Sequence, residues 1–523
     1  MADEQSVSQV EVREFVQTQV IRKRLLPRAV LVGLISGGVA TLFRVLLQLI
    51  EEARNSLIGM LPHTSLAVFA VSGCVGALGC YVALKLGKLD RDAGGSGIPQ
   101  MKAVLEGHMK MNWRRLLWVK FLGALSSLGS GMAMGREGPT VQMGGAIGQG
   151  LAEVSKATVR EKKALMAAGS GAGLAAAFNA PLAGVTFVLE ELQRDFQPVV
   201  FAAALLCAAT ASIVSRMVSG QFPVFSVPPV EAPPLTSLPL FLVIGVLGGV
   251  IGVLFNKVLL GVQARMMNVR KKHPMLIVVI IGLILGLAAV VSPELLGGGH
   301  LLSEQAIFGK LSLVFAIELL IIRFVLIHLC YGSGTPGGIF APLLSLGALT
   351  GLIAFRLAGL FGDVSSIAVA ACAVAGMCAM FSGIVRAPLT GVVLIGEMTG
   401  GFDMMLPLLV ASFTAYIVAE SLRDTPIYEA LLQRIAVQRG FDYDEEERQF
   451  IELEIKPGSP LIGIALKDAG LPPGALIVLC SLGGNDFVPY GDTTLEAHTK
   501  ISVVATSAEA IQQLEQLVKG ENT

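Results

Sequence analysis

Residues 180–190 read APLAGVTFVLE and residues 387–397 read APLTGVVLIGE, identical at six of eleven positions. Ahead of each lies a second element in which glycine and proline interrupt an apolar run: GREGP at 135–139 and GIFAP at 338–342. The spacing is alike, 42 residues from Pro139 to Pro181 and 46 from Pro342 to Pro388. Two elements therefore recur in the same order, 203 residues on for the first and 207 for the second. That period is too long for a solenoid unit. It fits a membrane transporter built from two halves, in which corresponding interrupted segments point to the binding site.

Composition agrees. Of 523 residues, 53% are hydrophobic and 15% charged, with a mean hydropathy of +0.70. A soluble chain carries about 25% charged residues, so the main solvent here is lipid. A disordered chain, a nucleic-acid binder, a disulfide scaffold and an ordinary cytosolic enzyme are excluded. Sixty glycines supply the small surfaces that let helices approach in a membrane. The formal net charge is zero but divided. From Gly440 onward there are 14 acidic and 5 basic residues, against 25 and 34 before it, which predicts a membrane body and an acidic, water-facing tail. The seven cysteines lie mostly in apolar runs with no C-x-x-C pair and read as small hydrophobes. No metal or cofactor is expected.

Crossing about 30 Å of hydrocarbon takes about 20 apolar residues. Candidates are 29–50, 66–86, 116–134, 198–218, 240–260, 276–291, 311–329, 367–381 and 404–419. Between them lie pieces too short or too interrupted to cross as plain helices: 96–105, 138–151, 164–178, 181–192, 337–357 and 388–399. Such backbone is tolerated at membrane depth where it lines a cavity. The basic stretches 22–28, 114–115, 156–163 and 265–273 predict cytoplasmic loops. Both termini are then cytoplasmic, and the polar start of the chain does not read as a cleavable signal peptide.

Three Gly/Pro clusters would begin helices inside the apolar body: GSGIPQ at 95–100, GREGPT at 135–140 and GGIFAP at 337–342. A helix N-terminus carries about half a positive charge and free N–H groups, and proline in its first turn removes no hydrogen bond. Converging, three such starts make an anion site of dipoles rather than full charges, weak enough for release. Glu137 sits in one start, and Glu190 and Glu191 close the first A-P-L-x-G segment. Carboxylates at membrane depth are functional until shown otherwise, although one of this pair marks the arrival of the segment at water.

These residues carry a resemblance. GSGIP at 95–99, GREGP at 135–139, GIFAP at 338–342 and Tyr428 in DTPIYEALL resemble the CLC family of chloride channels and chloride/proton antiporters over residues 20–435. The resemblance implies an all-α polytopic membrane domain with two inverted-topology halves and many broken or tilted helices. It also implies a homodimer with a pore in each subunit. Ser96 and Tyr428 match the hydroxyl donors to chloride, and the amides of Ile339 and Phe340 complete the shell. Glu137 matches the gating glutamate that also carries protons. Glu191 matches the internal proton-transfer glutamate of the antiporters, where channels generally carry a non-acidic residue. Lys120 matches a lysine that raises the local potential. Proton-coupled chloride exchange is the implied function, and a passive chloride channel is the alternative. Gln100 departs from the glutamate common after GSGIP.

The domain limits expected are a cytoplasmic segment 1–27, a transport domain 28–435 with halves near 28–220 and 237–435, an acidic linker 436–449 and a cytosolic α+β domain 450–519. The order read for that domain is β-α-β-β-β-α, with helices at 459–470 and 507–520. It resembles a TrkA-C domain, which implies a regulatory role with a small ligand or a dimerising role, the alternative being a folded tail that only stabilises the dimer. The membrane expected is the inner membrane of a prokaryotic cell. A potassium filter of TVGYG type is absent from the sequence, as are H-E-x-x-H and G-x-S-x-G. GSGAG at 169–173 has Leu174 where a dinucleotide fingerprint needs its third glycine and is read as helix packing. The chain is thus read as a transporter and not an enzyme.

Overall fold

The structure, a computed structural model, describes residues 2–62, 66–194, 197–221, 223–225, 227, 233–363, 367–441, 449–483, 485–505 and 508–520. The acidic run at 442–447 lies outside the described residues. The chain forms two compact units, Met1–Arg439 and Gly440–Thr523.

The first half of the larger unit contains α1 (Ala2–Gly59), α2 (Leu66–Gly87), α3 (Ile98–Glu106), α4 (Trp113–Gly129), α5 (Glu137–Val154), α6 (Val159–Phe178), α7 (Pro181–Phe187) and α8 (Pro198–Ser219). The second half answers with α9 (Leu238–Lys272), α10 (Pro274–Val291), α11 (His300–Ile307), α12 (Leu313–Gly332), α13 (Phe340–Phe361), α14 (Val369–Val385), α15 (Pro388–Thr399) and α16 (Met405–Ser421). Helix α17 (Ile427–Arg439) closes the unit. Packing follows the repeat: α1 lies on α6 and α8 as α9 lies on α14 and α16, and α5 lies on α6 as α13 lies on α14.

Glycine sets the closest of these approaches. A Cβ at Gly144 would stand 2.0 Å from the Gly169 carbonyl oxygen, and one at Gly173 2.1 Å from that of Thr140. The second half repeats this, with 2.0 Å between a Cβ at Gly351 and the Cys372 carbonyl oxygen. No side chain fits there, so the GSGAG stretch joins helices.

Among the described residues eight helices are long and apolar enough to span a membrane. Two expected spans fall short. Helices α4 and α14 have 17 residues each, about 25 Å at 1.5 Å per residue. The first is stopped by the Gly129–Gly131 turn, where Gly131 has φ +98°. One segment expected to be too short or too interrupted to cross is long and apolar enough to do so: α13 runs 22 residues. Its Pro342 falls in the first turn, where no hydrogen bond is lost.

The two A-P-L-x-G segments meet each other. Glu190 accepts hydrogen bonds from the Leu389 and Thr390 amides at 3.1 and 2.6 Å and from the Thr390 hydroxyl. Glu397 accepts from the Leu182 and Ala183 amides at 3.1 and 2.8 Å. The last residue of each repeat therefore caps the first turn of the other. The end of α7 and its π-helical extension Val188–Gln193 lies at the start of α15, and the reverse, as inverted halves require.

In the smaller unit β1 (Gln449–Glu454), β2 (Ala475–Leu482), β3 (Asn485–Phe487) and β4 (Lys500–Ala505) form an antiparallel sheet in the order β1-β4-β2-β3. Helix α18 (Ala508–Lys519) contributes Leu514 and Val518 to a core with Ile477, Cys480, Ile501 and Val503. The helix expected at 459–470 is only a 3-10 turn, Leu466–Asp468. Gly463 and Gly470 take positive φ there, and the Gly463 and Leu466 amides donate to Leu495 and Thr493 carbonyls instead of continuing a helix.

Candidate functional site

The three Gly/Pro starts begin α3, α5 and α13, and backbone bonds tie their loops together. The Gly95 amide donates to the Thr335 carbonyl and the Gly337 amide to that of Gly95, at 3.2 and 3.0 Å. Gly135 and Gly338 exchange both of their hydrogen bonds at 2.7 Å. Side chains reinforce the knot. Lys120, buried in α4, donates to the Ala93 and Gly95 carbonyls at 3.0 and 2.8 Å. Ser127 donates to the Pro336 carbonyl, and Gln142 to that of Asp92 at 2.8 Å. Gln100 donates to the Gly94 carbonyl at 3.1 Å, so it fastens the loop it follows. Gly97 takes φ +96° to turn into α3, a conformation suited to glycine.

The expected site residues gather where these starts meet. Ser96 lies against α5: a Cβ on Gly138 would be 2.5 Å from its hydroxyl oxygen. Gly338 approaches from the other half, its Cβ position 3.1 Å from the Gly138 nitrogen. Ile339 caps α13 and Phe340 is its first residue. Their N–H groups are among those a helix start leaves without an internal acceptor. The Phe340 ring packs on Phe178, Phe187 and Phe381 with centroids 5.4, 6.4 and 4.6 Å away. Tyr428, near the start of α17, is fully buried. The polar groups acting on its phenol are Tyr331, Glu191, Glu137 and Ser96. Neither the Ser96 nor the Tyr428 hydroxyl has a hydrogen-bond partner within the protein. Leaving a buried hydroxyl unmet is worth about 1–3 kcal/mol, so two of them at helix starts describe a place for an acceptor.

Glu137 is 1% exposed. Its carboxylate accepts from the Ala341 amide at 3.3 Å, the acid of one half resting on a helix start of the other. Beside it opens a cavity of about 350 Å³ lined by Arg44, Glu51, Arg136 and His300 among others.

Glu191 occupies different ground. It lies in the π-helical turn, buried, with its carboxylate 3.1 Å from the Lys102 ammonium. Lys102 is also 3.1 Å from Glu429, which Arg194 approaches to 3.3 Å. The pair Glu190 and Glu191 thus divides: Glu190 caps α15, and Glu191 turns into a buried charge cluster. Lys102 and Glu429 were not singled out in the sequence. A lysine inside the apolar segment GIPQMKAVL and a glutamate beside Tyr428 were the available signals, since buried charges must be paired.

Among the described residues no group of three His, Cys, Asp or Glu could hold a metal. The arrangement offers a water-poor position surrounded by amide and hydroxyl donors, with one carboxylate on a neutral amide and another on a lysine.

Comparison with known proteins accords with this geometry. The family model described as "Voltage gated chloride channel" matches residues 76–420, and the TrkA-C domain matches residues 450–519. The H(+)/Cl(-) exchange transporter ClcA of Vibrio cholerae serotype O1 (strain M66-2) is 40% identical over 417 residues, 78% of this chain and 88% of its own length. That of Vibrio campbellii is 38% identical over 416 residues, with the same shares covered. The crystal structure of a slow cyanobacterial Cl-/H+ antiporter superposes with a TM-score of 0.73 at 36% identity, covering 80% of this chain and 99% of the other. The chain belongs to the voltage-gated chloride channel family, also called CLC.

Proposed function

We propose that this multi-pass membrane protein of the CLC family exchanges chloride for protons. The observation that carries the reading is the unpartnered pair Ser96 and Tyr428, buried where the α3, α5 and α13 starts converge. An anion there takes hydroxyl hydrogens from Ser96 and Tyr428 and amide hydrogens from Ile339 and Phe340. It meets no fixed cation, so it is held strongly enough to shed water and weakly enough to leave. Lys120 serves by holding the Gly95 loop and adds positive potential at a distance.

Glu137 is the movable acid. Ionised, its carboxylate takes the Ala341 amide and stands in the anion path. Protonated, it loses its hold on that amide and releases the path, carrying a proton with it. Glu191 is the proton relay on the other side, kept charged-competent by Lys102. Tyr428 is followed by Glu429, which shares the Lys102 ammonium with Glu191, so the anion position and the relay acid are linked through adjoining residues of α17. The buried glutamate at 191 favours exchange over passive conduction.

In the same reading both termini face the cytoplasm of a prokaryotic cell, with the basic stretch 22–28 of α1 and the basic ends of α6 and α9 on that side. Two copies pair, each with its own path, and the 450–519 domain regulates transport, taking a small ligand. The test is reconstitution in liposomes with only a chloride gradient imposed. Uphill proton movement is expected. Chloride flux without proton movement would leave a passive channel.

A further inference from the structure

Two acids share one lysine at the relay position. The Lys102 ammonium on α3 donates to a Glu191 oxygen at 3.1 Å and to a Glu429 oxygen at 3.1 Å. All three side chains are buried. Arg194 approaches the same Glu429 oxygen to 3.3 Å. Two cations thus stand against two carboxylates, and Glu429 is the acid that meets both cations. The other charged groups around the turn are placed elsewhere. The turn Val188–Gln193 packs on α3, α6 and α7. Glu190 caps α15, and α7 brings no ionisable side chain. Glu106 of α3 and Arg160, Glu161 and Lys163 of α6 surround a cavity of about 340 Å³ beside Leu192 and Gln193. Glu161 there pairs with Arg28 at 3.3 Å. From α17 come Glu429 and Tyr428, and the Tyr428 hydroxyl belongs to the anion position.

Taking up a proton neutralises Glu191 and removes one of the two carboxylates that Lys102 holds. A buried charge left unpaired is costly, and with no second acid that cost would keep Glu191 ionised. We propose that Glu429 is a positioning residue for proton transfer: it holds the Lys102 ammonium while Glu191 carries a proton, so that Glu191 can load and unload within one turnover. The inference rests on the exchange reading and deepens it. Lys102 has no need to swing. Its Nζ carries three hydrogens and already reaches both acids, so it keeps the Glu429 bond as the Glu191 bond weakens. The cation left over on protonation is Arg194, whose side chain is 47% exposed, where water screens it. Without Glu429, both cations would face a neutral acid, and one of them is the fully buried Lys102.

The test is a pH titration of the full chain by infrared difference spectroscopy, beside proton and chloride flux in liposomes. The protonated-carboxyl band of Glu191 is identified by its loss in Glu191→Gln. In Glu429→Gln this band should half-form at a lower pH than in the wild type, by about one pH unit or more, since a charge within about 4–6 Å moves a carboxyl by about 1–3 units. Proton flux at neutral pH should fall roughly tenfold, the equivalent of one unit, while chloride flux continues. Glu429→Asp, which keeps the charge, should restore both. Lys102→Met combined with Glu429→Gln leaves one cation against one carboxylate and should bring the band back toward the wild-type pH. An unshifted band in Glu429→Gln overturns the proposal and leaves Glu429 a structural partner of Lys102. A shift that Glu429→Asp does not reverse also overturns it, as an effect of packing. If Glu429→Gln does not fold, the same charge is read in the Lys102→Met chain: adding Glu429→Gln there should lower the pH of half-formation, and equal values overturn the proposal. If no band is lost in Glu191→Gln, Glu191 takes no proton and the proposal falls. A wild type that moves no protons uphill counts against the exchange reading, while the band positions still decide whether Glu429 acts on Glu191.

Discussion

Glu137 and Glu191 are both buried carboxylates, 1% and 3% exposed, yet they are held by opposite means. Glu137 accepts its printed hydrogen bond from a neutral backbone amide and feels the neighbouring Arg136 charge without pairing with it. Glu191 faces a lysine that also serves Glu429. A neutral hydrogen bond contributes about 0.5–1.5 kcal/mol and one to a charged group about 1.5–3. The difference separates an acid able to move when protonated from one fixed in place. In the proposed exchange the same difference would divide gate and relay between the two acids.

The largest expected effect breaks the movable member. In Glu137→Gln the amide cannot titrate, and proton flux in liposomes should fall to background, by about 100-fold or more if the acid supplies a typical acid–base contribution. Chloride flux should continue and lose most of its pH dependence. An unchanged pH profile would show that Glu137 is not the titrating gate. The fixed member comes next. Glu191→Gln should also abolish proton movement while chloride still passes, whereas Glu190→Gln should leave protons moving. If the outcomes are exchanged, the relay is the capping residue.

Removing the cation sharpens the contrast further. Lys102→Met strands two buried carboxylates, and breaking a buried pair costs about 3–5 kcal/mol, visible as a lower melting midpoint in detergent. Adding Glu429→Gln should restore much of that loss. No recovery would mean that Lys102 acts through packing alone. A smaller effect tests the repeat. Glu190→Gln and Glu397→Gln should each lose about 0.5–2 kcal/mol of capping energy, since each carboxylate meets two amides of the other half, with the larger loss at Glu190, which also accepts from the Thr390 hydroxyl. No loss at either position would deny that these carboxylates cap the opposite half. Smallest of all, deleting residues 440–523 should leave anion selectivity unchanged in competition flux measurements. A shift in selectivity would put part of the tail in the ion path.

The gating half of this comparison was legible in the sequence and the relay half only partly. Glycine and proline announce helix starts through backbone chemistry, so GSGIP, GREGP and GIFAP located α3, α5 and α13. The repeated A-P-L-x-G segment announced the two halves. Contacts that depend on closing the chain were not legible. Lys102 and Glu429 are 327 residues apart, and no local pattern joins them. The last glutamates of the two repeats were visible, but their mutual capping needs the halves to be inverted and face to face. Lys120 read as a source of potential and also proves to be a backbone clamp on Gly95. In the tail, 459–470 carried helical periodicity, but its glycines adopt positive φ and its amides find partners in the loop before β4.

The central claim is that chloride and proton movement are coupled through Glu137. Its most direct test is the zero-flux voltage of proteoliposomes clamped with potassium and valinomycin under opposing chloride and pH gradients. The account predicts a voltage displaced from the chloride equilibrium potential that moves whenever the pH gradient is changed. A voltage fixed at the chloride equilibrium potential for every pH gradient would contradict it.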